Sequence, residues 1–331
     1  MPGFKALWIE ETPEGKFIPG VVERQVDQLP PGDVLVDVHF SSLNYKDALS
    51  ARGNKGVTRN YPHTPGIDAA GVVLSSSSAE FKPGDEVIVI GYDLGMNTAG
   101  GFGQRIRVPA GWVVRQPAGL SPRQAMILGT AGFTAALCVE KLLQMGLKPE
   151  QGEVLVTGAT GGVGSVAVGL LAKLGFRVVA STGKSVETPM LKSLGAAQVI
   201  DRQELTEPNN RPLLKERWAA AVDVVGGETL VNILKSLTYG GSVAACGLVG
   251  SPSLPASVFP FILRGVNLLG VDSVNQPLST KQMLWNKLAT EWLLPGLDSI
   301  GKDIDFDQLI DSLEAVFRGQ VAGRLVLDLR R

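Results

Sequence analysis

Along Val34, Val36, Val38 and Phe40, apolar residues alternate with polar or mixed ones, the two-residue period of a strand with one buried face. Residues 4–9 and 21–26 read as further strands. Leu29-Pro30-Pro31-Gly32-Asp33 and Phe81-Lys82-Pro83-Gly84-Asp85 read as turns, the second leading into a strand at Glu86–Ile90. The first third of the chain is therefore β-rich and barrel-like. At Ser121-Pro122 the pattern changes to that of a capped helix start, and 125–128 and 134–143 read as two helices broken at 129–132. Beyond them, strands near Val154, Val178 and Val199 and at 221–225, 243–245 and 267–269 alternate with helical segments. That alternation predicts a six-stranded parallel sheet in a doubly wound α/β domain. An amphipathic helix at Phe306–Phe317 and a strand at 323–327 predict a return into the first domain. The expected division is 1–122, 123–272 and 273–331.

The stretch 153–164, E-V-L-V-T-G-A-T-G-G-V-G, runs from a short apolar strand into a glycine-rich turn, and a helical pattern follows. Gly161 and Gly162 let the backbone approach a pyrophosphate, and the first N–H groups of the next helix lack intrahelical partners and point at the anion. A plain tight turn gives the same local pattern. A second strand at 177–181 follows one helix and a capping Gly175, however, which completes the strand–helix–strand unit of dinucleotide folds. At the end of that second strand, NAD sites carry a carboxylate for the ribose 2′-hydroxyl; here the chain has Ser181-Thr182-Gly183-Lys184. NADPH is the expected cofactor. The third strand ends in Asp201-Arg202, whose guanidinium suits a fork onto a 2′-phosphate or a stack on adenine. The alternative for Lys184 and Arg202 is a solvated surface charge.

Composition narrows the classes. With 331 residues, 44% hydrophobic and 19% charged, the chain suits two globular domains, and a formal charge of −1 without a basic block leaves no footprint for nucleic acid. No run of about 18 apolar residues is evident, and Met-Pro-Gly-Phe-Lys leads into no signal-peptide core, so neither a membrane span nor export is expected. The expected location is the cytoplasm. Two cysteines, Cys138 in a helical stretch and Cys246 at a strand end, do not suggest a disulfide framework.

With S-S-L-N-Y-K-D at 41–47, P-G-I-D-A-A-G at 65–71, K-P-G-D-E-V at 82–87 and then A-T-G-G-V-G, nearly the whole chain resembles the medium-chain dehydrogenase/reductase superfamily. G-T-A-G-F-T-A at 129–135, A-A-C-G-L at 244–248, P-F-I-L-R at 260–264 and G-V-D-S at 270–273 resemble its bacterial quinone oxidoreductase branch, which includes acrylyl-CoA reductase. The resemblance implies a GroES-like β-barrel catalytic domain beside a Rossmann domain. It implies cofactor contacts at Thr160, Gly161, Gly162 and Val163 for the pyrophosphate and at Thr182, Gly183, Lys184 and Arg202 for the 2′-phosphate. Tyr45, Leu248, Ile262 and Ser273 would lie along the nicotinamide. Relatives in this superfamily commonly pair through the edge of the nucleotide-domain sheet, so a homodimer is possible. The chain departs from the pattern at Ala159, which takes the first glycine of the fingerprint, and at Arg318-Gly319, where relatives carry an Asn-rich segment.

A catalytic zinc needs three convergent His, Cys or carboxylate ligands and a structural one commonly four cysteines, whereas the chain has two histidines and two cysteines. No metal is expected. His39 reads as a strand-surface or hydrogen-bonded histidine and His63 as a turn residue. Where zinc alcohol dehydrogenases carry G-H-E, the chain has Gly66-Ile67-Asp68. Without a Lewis acid, the chemistry favoured is hydride transfer to the β-carbon of an activated alkene: an enoyl-CoA, an enone or a quinone. Such a reaction needs donors near the developing enolate. Asn44-Tyr45-Lys46-Asp47 supplies them, with Tyr45 the favoured catalytic group and Asp47 either orienting it or capping a helix. Arg264 reads as a ligand for a CoA phosphate or as the cap of a preceding helix. Two rival classes remain: a short-chain dehydrogenase, for which Tyr-x-x-x-Lys is missing downstream, and a cofactor-binding sensor that has lost its substrate site.

Overall fold

The computed structural model describes residues 3–331 and divides into two compact units, one comprising residues up to Thr130 together with Ser273–Arg331, the other Ala131–Asp272. In the first unit a sheet of seven strands runs in the order Gly301–Ile304, Arg324–Asp328, Val34–Ser42, Asp68–Ser76, Glu86–Ile90 and Val113–Arg115, with Arg105–Val108 also paired to Val34–Ser42. Val34, Val36, Val38 and Phe40 are buried as the alternation predicts, while Asp37 and His39 face the other way and meet Arg105 and each other. Arg324–Asp328 lies antiparallel against Val34–Ser42, with Leu327 opposite Ser41.

Helix Phe306–Phe317 packs beneath that sheet through Phe306, Leu309 and Leu313, spaced for one helical face. Its start is fixed by Asp305, whose side chain accepts from Gln308 N at 3.2 Å while the Gln308 amide oxygen accepts from Asp305 N at 3.4 Å. His63 is not a turn residue. It pairs its backbone with Ile9 in both directions and is buried, with Nε2 3.0 Å from Gly95 O, and burial lowers the imidazole pKa. The turn chemistry around Tyr61-Pro62 hid this short bridge from a local reading.

The segment Pro122–Gln144 is two helices that meet at a break, as the pattern predicts, at Gly129, which takes φ +51° and ψ −155°. Taken together the two segments are long and apolar enough to cross a membrane by length and composition only, but 78% of their most apolar window is buried, as in the core of a folded domain.

In the second unit six parallel strands stand in the order Gln198–Asp201, Arg177–Thr182, Glu153–Val156, Trp218–Asp223, Leu237–Ala245, Asn267–Gly270. The order reverses after Glu153–Val156, the switch point of a doubly wound sheet. Leu155, Val179, Ile200, Ala221 and Val243 form its core with Trp218, and both cysteines are free thiols.

Candidate active site

In the first unit the strand Val34–Ser42 hands over to helix Tyr45–Ala51 through Asn44, whose extended backbone (φ −126°, ψ 158°) makes it the N-cap. Asp47, three residues on, closes the cap: one carboxylate oxygen accepts from Asn44 N at 2.8 Å, and the other from Ile67 N at 2.9 Å. The Asn44 side chain turns away and donates to Asp68 at 2.7 Å. Asp68 also accepts from the Ser42 hydroxyl at 2.6 Å and from the backbone N–H and hydroxyl of Thr130. That N–H is free for Asp68 because the helix breaks at Gly129, where any side chain would overlap Ser42 and the Asp68 carboxylate.

The counter-charge comes from Arg324, on the last strand. Its guanidinium donates to Ile127 O at 3.0 Å, Leu43 O at 3.1 Å and Asn44 Oδ1 at 3.3 Å, and stands 3.8 Å from Asp68. Asp47 and Asp68 are 0% exposed and Arg324 4%, so Asp68 and Arg324 form a buried ion pair and the charge of Asp47 also acts on the guanidinium. Burial, helped by the charge of Asp68, pushes the Asp47 carboxyl up to about 7, while the N–H donors of Asn44 and Ile67 pull the other way. Burial lowers the Arg324 pKa and the two carboxylates oppose it. Removing such a partner from a buried set typically costs about 3–5 kcal/mol. Sequence reading placed Asp47 beside Tyr45 but missed Asp68 and Arg324; the available signal was a charge inside an otherwise apolar strand, R-L-V-L.

Tyr45 begins this helix, so the network sets its backbone, while its ring is 45% exposed and stacks on Phe317 with centroids 5.9 Å apart and planes 2° from parallel. Asp47 spends its oxygens on backbone N–H groups: it is the cap of the Tyr45 helix, the second of the two roles expected for it.

In the second unit the glycine-rich turn opens helix Gly162–Lys173 with Gly161 as its N-cap. The first-turn N–H groups of Gly162 and Val163 follow directly, and Thr160 Oγ1 lies 3.3 Å from Thr182 Oγ1 at the end of the neighbouring strand. The position where packing demands glycine is Gly164, whose Cβ would overlap Gly158 O and sit 2.7 Å from Ala159 Cα; at Gly161 it would meet only Gly158 O at 3.3 Å. Thr182 Oγ1 accepts from Lys184 N at 3.0 Å, and Thr182 O from Arg202 N at 3.0 Å. The Arg202 side chain lies against the bare backbone of Gly183, where a Cβ would be 2.6 Å from its Nε. Thr182, Gly183, Lys184 and Arg202 thus meet at one strand end, with partial burial lowering the Lys184 pKa against the pull of Glu187.

Asp223, which sequence reading overlooked, fastens the centre of the sheet: it accepts from the Thr157 hydroxyl at 2.7 Å and from Gly226 N at 2.8 Å, and burial raises its pKa. Leu248 and Ile262 are exposed in this unit at 62% and 69%, whereas Ser273 is the first residue of the segment belonging to the other unit. Arg264 donates to the carbonyls of Leu214, Lys235 and Leu237, two of them at the end of the preceding helix.

Residues 30–118 match a family model described as an alcohol dehydrogenase GroES-like domain, and 162–290 one described as a zinc-binding dehydrogenase. The chain is 46% identical over 323 residues to the probable acrylyl-CoA reductase AcuI of Escherichia coli K12, covering 98% of this chain and 99% of that one. It is 43% identical over 328 residues to the putative quinone oxidoreductase YhfP of Bacillus subtilis, covering 98% and 99%. Among solved structures, Escherichia coli K-12 YhdH with bound NADPH matches at TM-score 0.94 and 46% identity over 98% of this chain and 99% of that one. Bacillus subtilis yhfP with NAD bound matches at TM-score 0.96 and 42% identity over 99% and 100%.

The raised Asp47 pKa has a signed consequence. Between the ordinary value of 3.8 and about 7, the folded chain keeps a proton that the unfolded chain has released, so Asp47's contribution to stability is full below 3.8 and lost as pH rises through about 7. The difference in melting temperature between the wild type and Asp47→Asn is expected to shrink as pH rises from 4 to 7, and a difference constant across that range would contradict the assignment.

Proposed function

Because the chain belongs to the medium-chain dehydrogenase/reductase family, we propose that it is an NADPH-dependent reductase that saturates the C=C bond of an α,β-unsaturated carbonyl compound, a small enoyl thioester such as acrylyl-CoA, without zinc. The observation that carries the substrate class is the end-to-end likeness, at 46% identity, to proteins named acrylyl-CoA reductase. The likeness to a putative quinone oxidoreductase favours a quinone as the second reading.

The residues present suit the cofactor. Lys184 and Arg202 offer two cations beside the bare backbone of Gly183, which is the chemistry a ribose 2′-phosphate requires. The turn at Thr160, Gly161, Gly162 and Val163 offers the unpaired N–H groups of a helix start to a pyrophosphate. In the same unit the exposed Leu248 and Ile262 offer apolar contact to the nicotinamide. When bound, NADPH supplies a hydride. The residues do not suit a zinc ion: among the described residues no three His, Cys, Asp or Glu side chains converge. The carboxylate of Asp68 is engaged by Ser42, Asn44, Thr130 and Arg324, and Ile67 has no ligand atom.

The protein's part is therefore to orient the acceptor and stabilise charge. As the β-carbon gains a hydride, negative charge moves to the carbonyl oxygen, and the hydroxyl of the half-exposed Tyr45 donates a hydrogen bond to it. The α-carbon then takes a proton from Tyr45 or from water.

Acrylyl-CoA and crotonyl-CoA are expected to oxidise NADPH with higher kcat/KM than small enones or simple quinones; turnover confined to quinones would replace this reading with the second, and tight NADPH binding without turnover would identify a sensor. Tyr45→Phe should lower kcat about a hundred- to a thousandfold, the loss of one oxyanion donor, with NADPH affinity nearly unchanged; full turnover in a folded variant removes the hydroxyl from the mechanism. Arg202→Ala should weaken NADPH binding by roughly tenfold or more and leave NADH unaffected, whereas equal losses for both would refute the 2′-phosphate contact.

A further inference from the structure

Tyr45 needs more than a fixed backbone to aim its hydroxyl, since an exposed tyrosine at a helix start samples several rotamers. Its ring has one planar neighbour. Phe317, the last residue of helix Phe306–Phe317, lies parallel to it at 5.9 Å, an offset stack. Phe317 is in turn held on several sides. The Arg52 guanidinium carbon is 4.2 Å from its ring centre, and Phe317 packs against the core of the first unit. Arg52 and Arg318 both donate to Glu314 at 2.7 Å, on the same helix one turn earlier. Arg52 stands seven residues after Tyr45, two helical turns on, so the helix presents a tyrosine and an arginine on one face to the same phenyl ring.

We propose that Phe317 is a positioning residue for the reaction: its ring sets the plane of Tyr45 and thereby the direction of the Tyr45 hydroxyl, with Arg52 and Glu314 keeping Phe317 in place. The inference rests on Tyr45 acting through its hydroxyl, as proposed above, and it assigns Phe317 no contact with the acceptor.

The test is a double-mutant cycle read by steady-state kinetics with acrylyl-CoA and NADPH, folding being checked by thermal unfolding. Phe317→Leu keeps apolar bulk and removes the stack; Phe317→Tyr keeps the ring. Phe317→Leu is expected to lower kcat about three- to tenfold with the KM values for acceptor and cofactor little changed, and Phe317→Tyr to restore it. In a Tyr45→Phe background, where no hydroxyl remains to be aimed, Phe317→Leu is expected to have no further effect. An equal loss in both backgrounds would show that Phe317 acts structurally and overturn the proposal. So would an unchanged kcat in Phe317→Leu while Tyr45→Phe is slow, and that result leaves the role of Tyr45 standing. Should Tyr45→Phe itself turn over normally, the reading of Tyr45 fails and the role of Phe317 falls with it.

Discussion

An almost fully buried guanidinium constrains how the first unit is assembled. Arg324 must find carbonyls and a carboxylate where it lies, and it finds them on separate stretches of chain: Leu43 and Asn44 after one strand, Ile127 in a helix, and Asp68 at the start of another strand. Desolvating such a charge is offset only when its partners converge with good geometry. The break at Gly129 belongs to the same requirement, because an uninterrupted helix would withhold the Thr130 N–H from Asp68. Burial raises the Asp47 carboxyl pKa, and the charge of Asp68 beside it adds to the rise. Its two backbone N–H partners are what tie the Asp47 carboxyl to the start of Tyr45's helix.

The second unit meets a different constraint, one of space. The helix after the glycine-rich turn can approach its strand only because Gly164 carries no side chain, and Gly158 takes φ +55° beside Val224. The helix start is thereby held close against the turn that precedes it. Asp223 stabilises the neighbouring strand ends through Thr157 and Gly226. Here burial also raises a carboxyl pKa, but the residue sits among donors and serves the turn, not an acceptor.

Much of this was legible in the residues because it is periodic or local. The alternation from Val34 to Phe40, the six strand–helix alternations and the face of Phe306–Phe317 appear where the pattern puts them. The meeting of Thr182, Lys184 and Arg202 was legible because adjacent parallel strands bring their ends together. What escaped was non-local. No period marks Arg324 as the partner of Asp68, 256 positions earlier (324 − 68). Nor does any pattern show that Phe317 will stack on Tyr45, since that contact exists only after the last strand has joined the first sheet. His63 was misread for the same reason: its turn-like neighbours are local and its partner Ile9 is not.

That topology explains why one exposed side chain is supported by such distant sequence. Phe317 and Arg324 lie seven residues apart on the same returning segment, one meeting the ring of Tyr45 and the other the cap of its helix. Neither contact alone defines where a phenolic hydroxyl points: a fixed backbone leaves the side-chain torsions open, and a stacked ring leaves the helix free to slide. Together they bear on both position and plane, which the hydrogen bond proposed for Tyr45 would demand, because the strength of such a bond falls steeply with misdirection. A buried charge network is a costly way to hold a helix start. It is justified where apolar packing, which tolerates small shifts, would leave the donor imprecisely aimed.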